Sequence, residues 1–323
     1  MKLLTYRINK IEVDQIGILH NQLIYNLNDC FEDKSLIEIV QIEDYQNKIA
    51  NFISDKNCKK HNINNIKLLP PIPKPNSFRD AYAFRQHVET ARKNRGAKML
   101  PEFDQFPVFY FSNHNNMYGH NQEIELMPDH FEQLDYELEL AILIGKGGRN
   151  ILSKNADKHI AGFFILNDLS ARKLQMEEMK LNLGPAKGKD FANVIGPYLV
   201  TFDELESKSI ETKFGKKYDL KMSAYLNGEL LSQGNAKDMD WTFEEIIERA
   251  SYGVDLFPGD IIGSGTVGTG CLLELNGSRK NIDGKKQWLK EGDEIELQIE
   301  GLGKITNKII KSKSKQSLLK IKK

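Results

Sequence analysis

Past a cluster of prolines near residue 70, this chain of 323 residues is a run of short β-forming segments, and few architectures accept so many. "ELELAILIG", "IAGFFILN", "GPYLVTF", "LKMSAYLNGELL" and "DEIELQIEGLGKITNKI" show alternation or an apolar, β-branched run of strand length. The last two contain "LNGE" and "EGLG", which suit hairpin turns. Helical patterns are fewer: "RDAYAFRQHVETARKNRG", "SARKLQMEEMK" and "WTFEEIIERAS". The expectation is an α+β fold, mainly antiparallel β, with helices at its periphery.

The segment "LLPPIPKPNSF" holds four of the ten prolines, Pro70, Pro71, Pro73 and Pro75. Proline fixes φ and restricts the residue before it, so this stretch reads as an extended linker. A boundary placed there divides a small N-terminal α+β domain with its linker, 1–74, from a larger domain, 75–323. Within the first part, "IGILHNQLIYNL" reads as two strands turning at His20-Asn21, and "EDYQNKIANFISD" as a helix.

Lysine plus arginine and aspartate plus glutamate number 45 each, so the net charge is zero. That balance gives no general attraction to nucleic acid or to an anionic membrane. The basic end, "NKIIKSKSKQSLLKIKK", reads as a solvated tail. Cys30, Cys58 and Cys271 are too few and too scattered for a disulfide scaffold or a thiolate zinc site. Arg7 and Lys10 interrupt the place where a signal peptide needs its apolar run. No stretch approaches the roughly 18 to 20 apolar residues that span a bilayer. A soluble protein of a reducing cytoplasm is expected.

Within the apolar "LDYELELAILIG", Glu137 and Glu139 are two apart, so on a strand both side chains point the same way. They could decorate a solvated edge. Alternatively they face one spot, where two like charges cost energy unless something positive sits between them. A third acid bears on the choice: the buried-looking strand "IAGFFILND" stops at Asp168. That aspartate could cap the next helix. It could equally join the glutamates as an oxygen ligand to a hard cation, Mg²⁺ or alternatively Mn²⁺ or Ca²⁺, in a site without nearby His or Cys.

Two glycine-rich stretches need separate treatment. "GSGTVG", residues 263–268, matches a dinucleotide fingerprint, which must open a helix. Here "TGCLLELNG" follows and reads as another strand, which argues against a nicotinamide site. "GPAKGKD" is one residue short of a phosphate loop and has Asp190 where a Ser or Thr should bind magnesium. Both loops can still offer backbone N–H groups, Lys189 and the Thr266 hydroxyl to a small anion. His87 is a lone histidine in a helical pattern, which is ordinarily a bystander. The other six histidines have no informative flanks.

Taken together, "DYELELAILIG", "NDLSAR", "GKDF" and "SGT" with "LLELNG" after it resemble the fumarylacetoacetate hydrolase family, in its order and near its spacing, over about residues 75 to 300. The resemblance implies a mixed β-roll with flanking helices, often a dimer, preceded by a smaller N-terminal domain. It implies metal ligation by Glu137, Glu139 and Asp168. "RDAYAFRQH" looks like a fumarylacetoacetase segment, which adds Asp80 near the metal, Tyr82 as a substrate contact and His87 as general base. Glu274 then matches the glutamate that orients this histidine. Lys189 and Thr266 match residues that bind substrate oxygens, and Arg172 and Gln175 match flanking residues of the N-D-x-S-A-R-x-x-Q segment.

The chain departs from the family in places. Lys173 stands where an acid is usual. The insertion between Thr266 and Glu274 is shorter than in full fumarylacetoacetases. Thr90 occupies the position three after His87, where smaller relatives place a glutamate on a lid, although Glu89 is adjacent. The expected activity is a Mg²⁺-dependent hydrolysis of a C–C bond in an acylpyruvate or fumarylacetoacetate-like diketo acid, with water activated by His87. The nearest rival is a decarboxylase or keto–enol isomerase using the same enolate. A metal-bound interaction protein without catalysis is a third class.

Overall fold

The computed structural model describes residues 1–8, 13–32, 34–55, 58–94, 96–278 and 286–320. Lys10, Arg95 of the expected helix and the last three residues of the basic tail lie outside the described residues.

The strand Leu138–Ile144 is buried at every position, and its alternation shows why the run is apolar throughout. Leu138, Leu140, Ile142 and Ile144 enter the main core, while Ala141 and Leu143 enter a second core with Leu3, Ile18, Phe78, Phe164 and Ile261. The strand therefore separates two apolar layers. It lies near the middle of a 12-stranded sheet, between Ile160–Asp168 and Asp260–Gly263. On the Asp260–Gly263 side follow Ser77–Ala81, paired in parallel, and then the edge strand Phe109–Ser112.

On the other side Asn193–Val200 joins Lys2–Ile8, with Leu3 opposite Leu199. The sheet continues through Gln15–His20, Leu23–Asn26 and Lys60–Asn62. Strands from both sides of the proline-rich segment thus share one sheet. That segment runs along the first strand, where Leu69 N–H donates to the Thr5 carbonyl and the Thr5 hydroxyl to the Pro71 carbonyl.

A second, five-stranded sheet runs Glu229–Asn235, Lys221–Leu226, Glu294–Ile299, Gly303–Lys311, Ile124–Leu126. Its turns use the expected chemistry. Asn227 and Gly228 both have positive φ, 51° and 83°, as a tight hairpin demands. The first hairpin turns at Asn21-Gln22, φ 49° and 63°, one residue later than expected. Helices Tyr45–Ser54, Arg172–Met179 and Phe243–Ala250 form where their patterns placed them, the last with a Thr242–Glu245 capping box. The fold is α+β, mainly β, with peripheral helices. No helix among the described residues is long and apolar enough to cross a membrane.

Two expectations are corrected. "RDAYAFRQHVETARKNRG" is not one helix: Arg79–Ala81 belong to the strand Ser77–Ala81, and the helix spans only Arg85–Lys93. Phe78 to Ala81 are consecutively buried, as an interior strand requires and an amphipathic helix does not. "CLLELNG" is not a strand but the helix Leu272–Ser278. Its buried residues Cys271, Leu272, Glu274 and Leu275 follow helical spacing, and the Asp135 carboxylate accepts from Leu272 N–H and Leu273 N–H at its start. The ground for setting aside the dinucleotide fingerprint therefore falls. The loop's backbone serves another use, described below.

Candidate active site

Register brings the acids together. Glu139 lies opposite Leu166, Leu138 opposite Asn167, Ala141 opposite Gly263, and Gly263 beside Asp80. By alternation Glu139, Asp168 and Asp80 share the face of Ala141, Phe164, Leu166 and Phe78, the first two on adjacent strands and Asp80 on the strand beyond Asp260–Gly263. Glu137 precedes its strand, and its N–H donates to the Asn167 side chain at 3.0 Å. One oxygen from each of Asp80, Glu137, Glu139 and Asp168 lies within 4.8 Å of the others, and all four residues are buried. A glycine is needed at 263, because a Cβ there would stand 2.4 Å from Asp80 Oδ1 and 3.0 Å from Glu139 Oε2.

The cluster carries more negative charge than its protein partners offset. Burial and the neighbouring Asp168 push Asp80 up to about 7. Burial, Asp80 and Glu137 hold Glu139 well above the ordinary range. Burial also acts to raise Glu137, but Arg172 and Lys189 hold it well below its usual value. Gly265 N–H donates to both Asp80 and Glu139, at 3.2 and 3.1 Å. Thr266 Oγ1 lies 3.5 Å from Glu139. Asp168 Oδ1 is buried with no hydrogen-bond partner among the described residues. Such an orphaned oxygen within a cluster of four convergent carboxylates fits a hard divalent cation.

Lys189, buried at the end of its glycine-flanked loop, places its ammonium between Glu137 and Asp168, 2.5 Å from Asp168 Oδ2. The loop can approach this closely because Gly188 lies against the Gln175 backbone, where a Cβ would meet atoms at 2.6 Å. Arg172 donates to Asp135 at 2.9 Å, to Glu137 at 2.7 Å and to Gln175 at 3.1 Å. Across the site His87 Nδ1 meets Glu274 Oε1 at 2.5 Å, with both residues buried. The Tyr82 ring lies edge-on to His87 with centroids 5.6 Å apart.

These groups surround one cavity of about 380 Å³. Asp80, Tyr82, His87, Glu137, Arg172, Gln175, Lys189 and Thr266 line it. Glu139 and Asp168 stand behind this lining and Glu274 behind His87. Two participants escaped the sequence reading. Tyr110, on the edge strand, donates its hydroxyl to Asp168 at 2.5 Å, and nothing in "VFYFS" signals it. Asp135 lies two residues before Glu137, so the arithmetic that paired the glutamates extended to it unnoticed.

Residues 76–310 match the family described as fumarylacetoacetate (FAA) hydrolase C-terminal. The oxaloacetate tautomerase YisK of Bacillus subtilis is 32% identical over 254 residues, 77% of this chain and 75% of that protein. A fumarylacetoacetate hydrolase from psychrophilic Exiguobacterium antarcticum superposes with TM-score 0.73 at 24% identity, covering 97% of this chain and all of the other. The maleylpyruvate hydrolase from Sphingobium sp. SYK-6, solved with manganese(II) and pyruvate, gives 0.71 at 17% identity over the same shares. The chain belongs to the fumarylacetoacetate hydrolase family.

Proposed function

We propose that this protein is a divalent-cation-dependent enzyme that moves a proton on the carbon next to the carbonyl of a 2-oxo acid, interconverting keto and enol forms of an oxaloacetate-like substrate. The observation that carries the proton transfer is the buried His87–Glu274 pair facing an acidic cluster across one cavity. The choice of tautomerisation draws support from the similarity to an oxaloacetate tautomerase.

Glu137, Glu139 and Asp168, with Asp80 beside them, would hold Mg²⁺ or Mn²⁺. A cation there supplies a Lewis acid that polarises the 2-oxo group. His87 Nδ1–H donating to Glu274 assigns the free lone pair to Nε2, which is then the base on the cavity side. Nε2 takes the proton from C3 as the C2 oxygen gains charge, and the protonated ring returns a proton to that oxygen to complete the enol. Glu274 stabilises the imidazolium in between. Lys189 has three donors, two of them committed to Glu137 and Asp168, so its third remains to offset charge on substrate oxygen.

Hydrolysis of a diketo acid is the second reading, because the same oriented base can take its proton from water. One assay separates the two. With Mg²⁺ present, the decay of enol absorbance is followed for oxaloacetate, and cleavage products are sought by mass spectrometry for acylpyruvates. Accelerated enol decay without cleavage supports tautomerisation. Cleavage with only background enol decay supports hydrolysis.

A further inference from the structure

Three permanent cations line the cavity, and two of them are already paired with carboxylates. Arg172 is held by Asp135, Glu137 and Gln175, and Lys189 by Glu137 and Asp168. The third, Arg92, has no carboxylate partner among the described residues. Its Nε donates to the Lys98 carbonyl at 2.5 Å, which anchors the guanidinium and leaves its two terminal nitrogens as an open fork.

The local backbone builds that anchor. Arg92 is in the last turn of the helix that carries His87. Gly96 ends this helix in the left-handed region, φ 74°, with Ala97 N–H returning to the Arg92 carbonyl at 3.0 Å. The reversal brings the Lys98 carbonyl back to Arg92. Asn94 Nδ2 reaches the Glu274 carbonyl at 3.4 Å, so the same helix end is fastened to the helix carrying the partner of His87.

Elsewhere the cavity wall is apolar, with Val108, Phe109, Met176, Met179 and Pro185. An anionic group placed against that wall would lose hydration, and Arg92 is the lining cation that no carboxylate holds among the described residues. We propose that Arg92 is the specificity-determining residue that receives a second carboxylate of the substrate, so that the enzyme selects dianionic over monoanionic 2-oxo acids. This assignment rests on the reading above that a 2-oxo acid is bound beside the acidic cluster.

Calorimetric titration of the full chain in excess Mg²⁺ tests it, with 2-oxobutanoate as the monoanion and 2-oxoglutarate as the dianion. Arg92→Met, which keeps the apolar stem, should weaken 2-oxoglutarate about 10- to 100-fold and leave 2-oxobutanoate within about twofold, as expected for loss of a charged hydrogen-bonded pair. Arg92→Lys, with charge but no fork, should recover part of the loss. Unchanged 2-oxoglutarate binding in Arg92→Met, or equal losses for both acids, would overturn the role of Arg92 while the proposed function stands. If neither acid binds the wild type although Mg²⁺ does, the proposed function fails and this assignment with it.

Discussion

His87 Nδ1 and Glu274 Oε1 meet at 2.5 Å although 187 positions separate them in the chain. The glutamate is fixed at both ends, because its second oxygen accepts from Thr269 N–H at 3.1 Å. Thr269 holds φ 66°, a region costly for a β-branched residue, and this single donor helps explain why the fold keeps it there. A dyad so held acts as one unit. His87→Ala should lower kcat by about 10²- to 10⁴-fold, and adding Glu274→Gln should cost little more. Multiplicative losses in steady-state kinetics would show two independent residues instead.

The acid cluster gives a prediction for stability as well as activity. Four buried carboxylates with two cationic side chains beside them are under-compensated, so Mg²⁺ should bind the folded chain and raise its Tm in proportion to ln[Mg²⁺] above Kd. Glu139→Gln removes one ligand and one like charge. Its metal affinity should fall by roughly 10-fold or more, while its metal-free Tm should equal or exceed that of the wild type. Calorimetry and thermal melts in chelator and in Mg²⁺ measure both. A variant destabilised without metal and unchanged in Mg²⁺ affinity would refute this account.

Lys189 separates binding from rate. With two of its three donors facing Glu137 and Asp168, its remaining donor should matter most when charge develops on substrate oxygen. Lys189→Met should then lower kcat by roughly 10²-fold or more. A raised KM with wild-type kcat would mark uniform binding instead.

The acid cluster was readable from the two-residue period. Glu139 and Asp168 follow from alternation plus a strand that ends on an acid, Glu137 from the same spacing although it precedes its strand, and Lys189 from its glycine-flanked loop. What required the resemblance was the partnership of His87 with Glu274, because no local pattern joins elements that meet only through the packing of two helices. Short range misled in two places. The local pattern merges the strand Ser77–Ala81 with the helix that follows it, and the short apolar run in "CLLELNG" suits a strand as well as the helix Leu272–Ser278. Pairing with Asp260–Gly263 and the Asp135 cap decide those cases, and both are tertiary.

Asp135 ties the halves of the site together. Fully buried, it receives Arg172, which holds Glu137, and also the first N–H groups of the helix that carries Glu274. Asp135→Ala leaves a buried guanidinium and two backbone donors short of an acceptor, a loss of about 3–5 kcal/mol for breaking one side of a buried pair. Asp135→Asn keeps the shape and one acceptor, so it should fold and lose Mg²⁺ affinity and kcat together. Calorimetry and kinetics on Asp135→Asn check this; loss of one property with the other intact would mean that Asp135 supports only one half.

A buried carboxyl away from the site sets a pH dependence of stability. Glu244, in the first turn of Phe243–Ala250, accepts from Lys216 N–H at 3.1 Å and lies against Gly215. Burial raises its pKa from 4.5 to about 7, more than its own backbone N–H and Lys216 lower it. The folded state therefore holds a proton there that the unfolded chain has released across that interval. Its contribution is complete below 4.5 and is lost as pH rises through about 7. Glu244→Gln keeps an acceptor for Lys216 and has no charge to bury. Melts of both proteins at fixed Mg²⁺ should show the variant gaining Tm relative to the wild type from pH 5 to pH 8, with most of the gain between the two values. A difference constant across that range would mean that Glu244 ionises in the fold as readily as in the unfolded chain.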